Sequence, residues 1–124
     1  MPELPQTFVD HFIRKPLRER VAHEWRKRPE RLEYRICHRA HELFPVSLKG
    51  GTARFDADEM VLVLRGTETE EMPYSAVEPY LNCGLGVLVV SRDGRRFLAE
   101  TEAGPGRPCE VYAGSVSSPS PMPQ

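Results

Sequence analysis

Between Arg31 and Phe44, the apolar residues Leu32, Ile36, Ala40 and Leu43 recur at steps of four and three, with Phe44 beside them. That spacing places them on one face of a helix. Arg31, Arg35 and Arg39 form a second stripe at steps of four, rotated from the first, and Cys37, His38 and His41 lie between or beside the two. The pattern predicts one helix from about Glu30 to Phe44, stopped by Pro45. Upstream, Leu17, Val21 and Trp25 step by four along another helical face. Pro16 suits its first turn, where a missing N–H costs nothing, and Pro29 ends it and starts the next helix. Phe8, Phe12 and Ile13 predict a short docked helix after a proline-containing arm at residues 1–7.

Beyond Gly50 and Gly51 the helical period is lost. Thr52–Asp56 and Met60–Leu64 predict a first hairpin, connected through Ala57 and Asp58, with Phe55 facing Met60 and Ala53 facing Leu62. The run Met60–Leu64 is apolar on both sides, as an internal strand would be. Arg65–Glu71 predicts a polar crossing into which that strand can extend, and its acidic residues could meet the basic helices. Tyr74, Val77, Tyr80 and Leu81 predict one or two helical turns between strand pairs. Val87–Val90 and Arg96–Thr101 predict a second hairpin around Asp93-Gly94, a dipeptide suited to positive φ. With those two residues as the loop, Val90 pairs with Phe97, Leu88 with Ala99 and Val89 with Leu98. Glu100 and Glu102 then fall on a side expected to become wet away from the turn. Cys109–Ala113 predicts a last edge strand.

These elements predict an α+β fold: N-terminal helices packed on a small, mostly antiparallel sheet of four or five strands. A strongly curved small barrel capped by the helices is the alternative. A single domain is expected over residues 1–113. Residues 114–124, rich in Ser and Pro, are expected to form a disordered tail. A length of 124 residues and an apolar fraction of 40% fit one domain rather than two.

Charge adds a polarity to this picture. The net charge of −1 removes any global electrostatic case for nucleic acid, but the distribution is uneven. Residues 1–44 hold ten Lys or Arg against seven Asp or Glu, whereas residues 45–124 hold seven against eleven. A basic helical layer over a more acidic sheet could orient a partner, or the two could complement each other within one molecule. No apolar run approaches the roughly 20 residues needed to span a bilayer. The start of the chain lacks the basic-then-apolar order of a signal peptide. Three cysteines, Cys37, Cys83 and Cys109, cannot all pair internally, which favours free thiols and a cytoplasmic location.

The expected partner-binding residues are Arg28, Arg31, Arg35 and Arg39, facing an acidic protein partner or a second copy of the chain. Nucleic acid is the alternative partner, because a planar guanidinium also suits phosphates. Against both stand interspersed acids at helical spacing: Glu24 is four residues from Arg20 and Arg28, and Glu42 is three from Arg39. Arg35 lies off the apolar stripe, so Arg35→Ala is expected to cost far less than Trp25→Ala. Cys37 and His41 are four apart and are residue types that ligate zinc, but His38 points about 100° away from Cys37. No metal or cofactor is therefore expected. A Cys–His pair with Glu33 as acid or base lacks an orienting carboxylate and an oxyanion hole. Gly84-Leu85-Gly86 completes neither the dinucleotide nor the Walker pattern. The expectation is a small cytoplasmic interaction or regulatory module, with an enzyme as the least favoured class.

Overall fold

The computed structural model describes residues 2–116 of the chain. The helices come first: α1 (Gln6–Phe12), α2 (Arg18–Lys27), α3 (Pro29–His38) and α4 (Ala40–Leu43). Pro16 sits in a 3₁₀ turn, Lys15–Leu17, that leads into α2. Arg28, with φ −142 and ψ 60, separates α2 from α3. It is pushed from helical angles by the ring of the proline that follows it. The arm before α1 is anchored rather than loose, because Trp25 donates its indole N–H to the Pro2 carbonyl at 2.9 Å.

The single helix expected from Glu30 to Phe44 is instead two. Arg39 breaks it with φ −135 and ψ 28. Neither Gly nor Pro announces the break. Its effect is tertiary: Phe44 stacks on Phe97 at 4.8 Å and on Tyr112 at 5.5 Å between ring centroids. Leu32, Ile36, Ala40, Leu43 and Phe44 are all buried, as their spacing predicts.

The strands are β1 (Met60–Arg65), β2 (Glu68–Pro73), β3 (Leu85–Ser91), β4 (Arg96–Glu102) and β5 (Val111–Ser115), in the order β2-β1-β3-β4-β5. Every neighbouring pair is antiparallel. The sheet ends in two edges, β2 and β5, rather than closing on itself. Between β2 and β3 the chain makes one helical turn, α5 (Tyr74–Val77), and one 3₁₀ turn, Glu78–Tyr80. This is the expected crossing.

The first hairpin is not the one the pattern predicted. Met60 faces Pro73 and Leu62 faces Glu71, across a loop of Gly66 and Thr67. Thr52–Asp56 forms no strand. The charges that made Glu68–Glu71 read as a crossing belong to an edge strand, where they discourage pairing with other chains. The second hairpin keeps the expected register, with Val90 opposite Phe97, Val89 opposite Leu98 and Leu88 opposite Ala99. Its turn differs: Gly94 alone takes positive φ, and its N–H bonds to the Ser91 carbonyl at 2.9 Å. Asp93 accepts from the Ser91 hydroxyl at 2.7 Å and the Arg95 N–H at 3.0 Å.

Both faces of the sheet are covered. One carries Leu62, Leu64, Leu88, Val90, Phe97, Ala99 and Tyr112 against the helices. The other carries Val61, Val63, Val87 and Val89 against Val77, with Phe55, Tyr74 and Leu81 packed alongside. Thus β1 is internal, as its two-sided apolar run predicts. Segment 52–59 closes over this second face. Arg96 clamps it by donating to the Arg54 carbonyl at 2.8 Å and to both carboxylate oxygens of Glu59. Glu100, expected to be wet, is buried there and accepts from the Asn82 N–H at 2.8 Å.

At the far edge, Tyr112 rather than its alternating neighbours faces the helical core. β5 runs through Gly114 and Ser115, and Val116 packs against the same core, past the boundary expected at residue 113. Residues 117–124 of the expected tail lie outside the described residues.

Candidate functional site

Glu24 is the hinge of the helical surface. Leu17, Val21, Glu24 and Trp25 fall at i, i+4, i+7 and i+8, so the carboxylate lies on the buried side of α2. It is only 3% exposed. A buried carboxylate needs a charged partner, and Arg35 of α3 supplies it. Nε of Arg35 donates to Oε1 at 2.9 Å and Nη2 to Oε2 at 3.1 Å. The pair bolts α2 to α3. Arg35, expected to be one of four partner-facing arginines, is therefore a structural residue as well.

This engagement changes the standing of its neighbours. The sequence spacing offers Glu24 to Arg20 and Arg28, but the carboxylate is turned inward to Arg35. Among the described residues, Arg20, Arg28 and Arg31 make no side-chain hydrogen bond or ion pair, and all three are exposed. Arg39 does have a mate: its Nη1 donates to Glu42 at 3.1 Å. The Tyr34 hydroxyl, and then Glu42, hold the Arg39 guanidinium above its ordinary range. The other predicted basic cluster is partly structural. Arg14 donates Nε to the Phe44 and His41 carbonyls at 3.2 and 3.3 Å, and Arg18 donates to the Ile13 carbonyl at 3.0 Å.

Three shallow hollows run along this surface. The first, about 310 Å³, lies at the α2–α3 junction and is lined by Arg20, His23, Glu24, Arg28, Arg31 and Arg35. The second, about 430 Å³, shares Arg31 and Arg35 and adds Glu30, Tyr34, Arg39 and Glu42. A third, about 380 Å³, continues past Tyr34 and Arg39 to His38, His41 and Arg107. Tyr34, 53% exposed, stands in the middle of the row. Arg107 comes from the loop between β4 and β5. Only the tertiary fold brings it here, and no local spacing signals it.

A second cluster gathers where α3 meets β3 and the end of β4. Burial pushes the Cys37 thiol up to about 12, and the nearby Glu33 and Glu102 carboxylates push the same way. Burial, then the charge of Glu102, raises Glu33, while His38 lowers it. His38 Nε2 lies 3.8 Å from Glu102 Oε2, so its neighbour is a carboxylate rather than the thiol. His41 is exposed beyond the helix break and does not share a face with Cys37. Among the described residues, no three His, Cys, Asp or Glu side chains are grouped to hold a metal ion. A reactive thiolate needs positive surroundings, and Cys37 has the opposite.

That contrast sets a measurable order of thiol reactivity. Native protein treated with Ellman's reagent at mildly alkaline pH should release a rapid equivalent from exposed Cys83. Cys109 should follow more slowly, because burial and the Glu100 charge raise its thiol. Cys37 should react only on unfolding. Mass mapping of the labelled peptides tests this, and modification of Cys37 at the rate of Cys83 would contradict the environment described.

Comparison with known protein families, with curated proteins and with solved structures finds no match to this chain. Among the described residues, no helix is long and apolar enough to cross a membrane.

Proposed function

We propose that this chain is a protein-interaction or regulatory module that receives an acidic segment of a partner protein on the exposed face of α2, α3 and α4. The observation that carries the reading is the inward engagement of Glu24 by Arg35. It leaves Arg20, Arg28 and Arg31 without an intramolecular acid, although the chain as a whole is slightly acidic. Guanidinium groups held on packed helices give an acidic partner direction and a fast encounter, while the exposed Tyr34 ring offers apolar contact between them. Three unpaired cysteines support a reducing, cytoplasmic setting.

The test uses Arg28, Arg31 and Arg39, and spares Arg35 because of its tie to Glu24. Partners are captured from native lysate on the wild-type chain and identified, and the purified pair is then followed by stopped-flow fluorescence. The triple alanine variant should fold normally yet associate roughly tenfold more slowly at low salt, with the difference shrinking as salt is added. Unchanged association by a folded variant rejects the surface. Capture of nucleic acid, with affinity falling steeply in salt for every sequence, replaces the protein partner with a polyanion.

A further inference from the structure

The hollow at the α2–α3 junction carries more positive charge than a carboxylate side chain would balance. Arg20, Arg28 and Arg31 reach it without side-chain partners among the described residues, and His23 stands beside them. Arg35 adds a fourth guanidinium that is already oriented. Nε and Nη2 are held by Glu24, whose side chain is 4% exposed, and no bond within the described residues engages Nη1. Glu24 is the lone acid lining this hollow, and its charge is matched by Arg35. A guanidinium fixed in this way loses little entropy on binding. A phosphate monoester carries about −1.5 to −2 charge at neutral pH and three strong acceptor oxygens, which suits several guanidinium groups converging on one point.

We propose that this hollow binds a phosphorylated serine or threonine side chain of the partner segment, with Arg28, Arg31 and Arg35 as its direct ligands. The inference rests on the interaction reading above and gives the partner a chemistry. A phosphopeptide fits better than a nucleic-acid backbone because the positive charge is compact. In the next hollow Glu30 and Glu42 line the wall, where they would face the adjacent phosphates of a polynucleotide. Residues flanking the phosphorylated side chain would instead lie along Tyr34 and Arg39.

The experiment uses the full chain, isotopically labelled, with the arginine Nε–H resonances as reporters. Inorganic phosphate at millimolar concentrations should shift the signals of Arg28, Arg31 and Arg35. Three peptide pools are then compared on immobilised protein, each with one fixed residue in random flanks: phosphoserine, serine or glutamate. The phosphoserine pool should be retained roughly tenfold more than either other pool. Arg28→Ala and Arg31→Ala should each abolish that preference without changing the thermal midpoint, and Lys27→Ala, outside the hollow, should keep it. Equal retention of the glutamate and phosphoserine pools overturns the phosphate site but leaves the acidic-partner surface standing. Retention of mixed-sequence RNA with no preference among the peptides overturns both. Absence of arginine shifts with phosphate, together with equal retention of all pools, overturns the site.

Discussion

Arg35→Ala will destabilise the domain by about 3–5 kcal/mol, as much as truncating the core residue Trp25. The linear pattern implies otherwise, since Arg35 lies off the apolar stripe of its helix and an ordinary surface substitution costs roughly 0.5 kcal/mol. The structure supplies the reason for the difference. Removing the guanidinium takes away both donors that hold the Glu24 carboxylate, which is 3% exposed. The penalty is that of an uncompensated buried charge, not of a lost surface contact. The same argument predicts rescue. Glu24→Leu added to Arg35→Ala removes the stranded charge and extends the Val21–Trp25 apolar face, so the double variant should recover most of the loss. Urea denaturation of the two single variants, the double variant and the parent forms the cycle. Additive losses, or an Arg35→Ala cost near that of Arg28→Ala, would show that the pair does not bear on stability.

This pair also marks where the sequence was legible and where it was not. Periodicity located the helical core, because burying Leu32, Ile36, Ala40, Leu43 and Phe44 is a local consequence of their spacing. The Val90–Phe97 register was readable for a similar reason, since a short turn links its two strands directly. The first hairpin is not legible in the pattern, because edge-strand glutamates look like loop in one dimension. What makes Glu68–Pro73 a strand is its partner β1. Spacing off the apolar stripe agrees with the exposure of Arg31 and Arg39, but it does not tell which arginine takes which acid. Glu24 pairs across helices with Arg35 rather than along its own helix with Arg20 or Arg28. The clue was present in the i, i+4, i+7, i+8 placement of Leu17, Val21, Glu24 and Trp25, which puts a carboxylate among core positions. Arg107 carried no clue, because only the folded loop brings it to the hollow beside Tyr34 and His38.

Gly86→Ala is expected to be the most damaging single-methyl addition in the sheet, at roughly 3 kcal/mol from two separable costs. The first is conformational. Gly86 has φ +83 within β3, a region that costs an L-residue about 1–2 kcal/mol. The second is steric. A Cβ there would stand 2.3 Å from the Cys37 Sγ and 3.7 Å from the Glu100 carbonyl oxygen. Cys37 is buried on α3, where its thiol points at the Leu85 carbonyl at 3.9 Å, so the sulfur cannot swing into solvent. Forcing β3 and α3 apart would strain a packed core by about 1–3 kcal/mol. The two parts are distinguished by placing the same substitution in a Cys37→Ala background. Without Sγ the new methyl meets the Cys37 Cβ position and the Glu100 carbonyl oxygen, each at 3.7 Å and each an ordinary contact. The steric cost should vanish there and the conformational cost remain. Chemical denaturation should therefore give Gly86→Ala a penalty smaller by about 1–3 kcal/mol in the Cys37→Ala protein than in the parent. Equal penalties in both backgrounds would mean that the backbone alone demands glycine, and a negligible penalty in both would refute the close approach of α3 to β3 at this point.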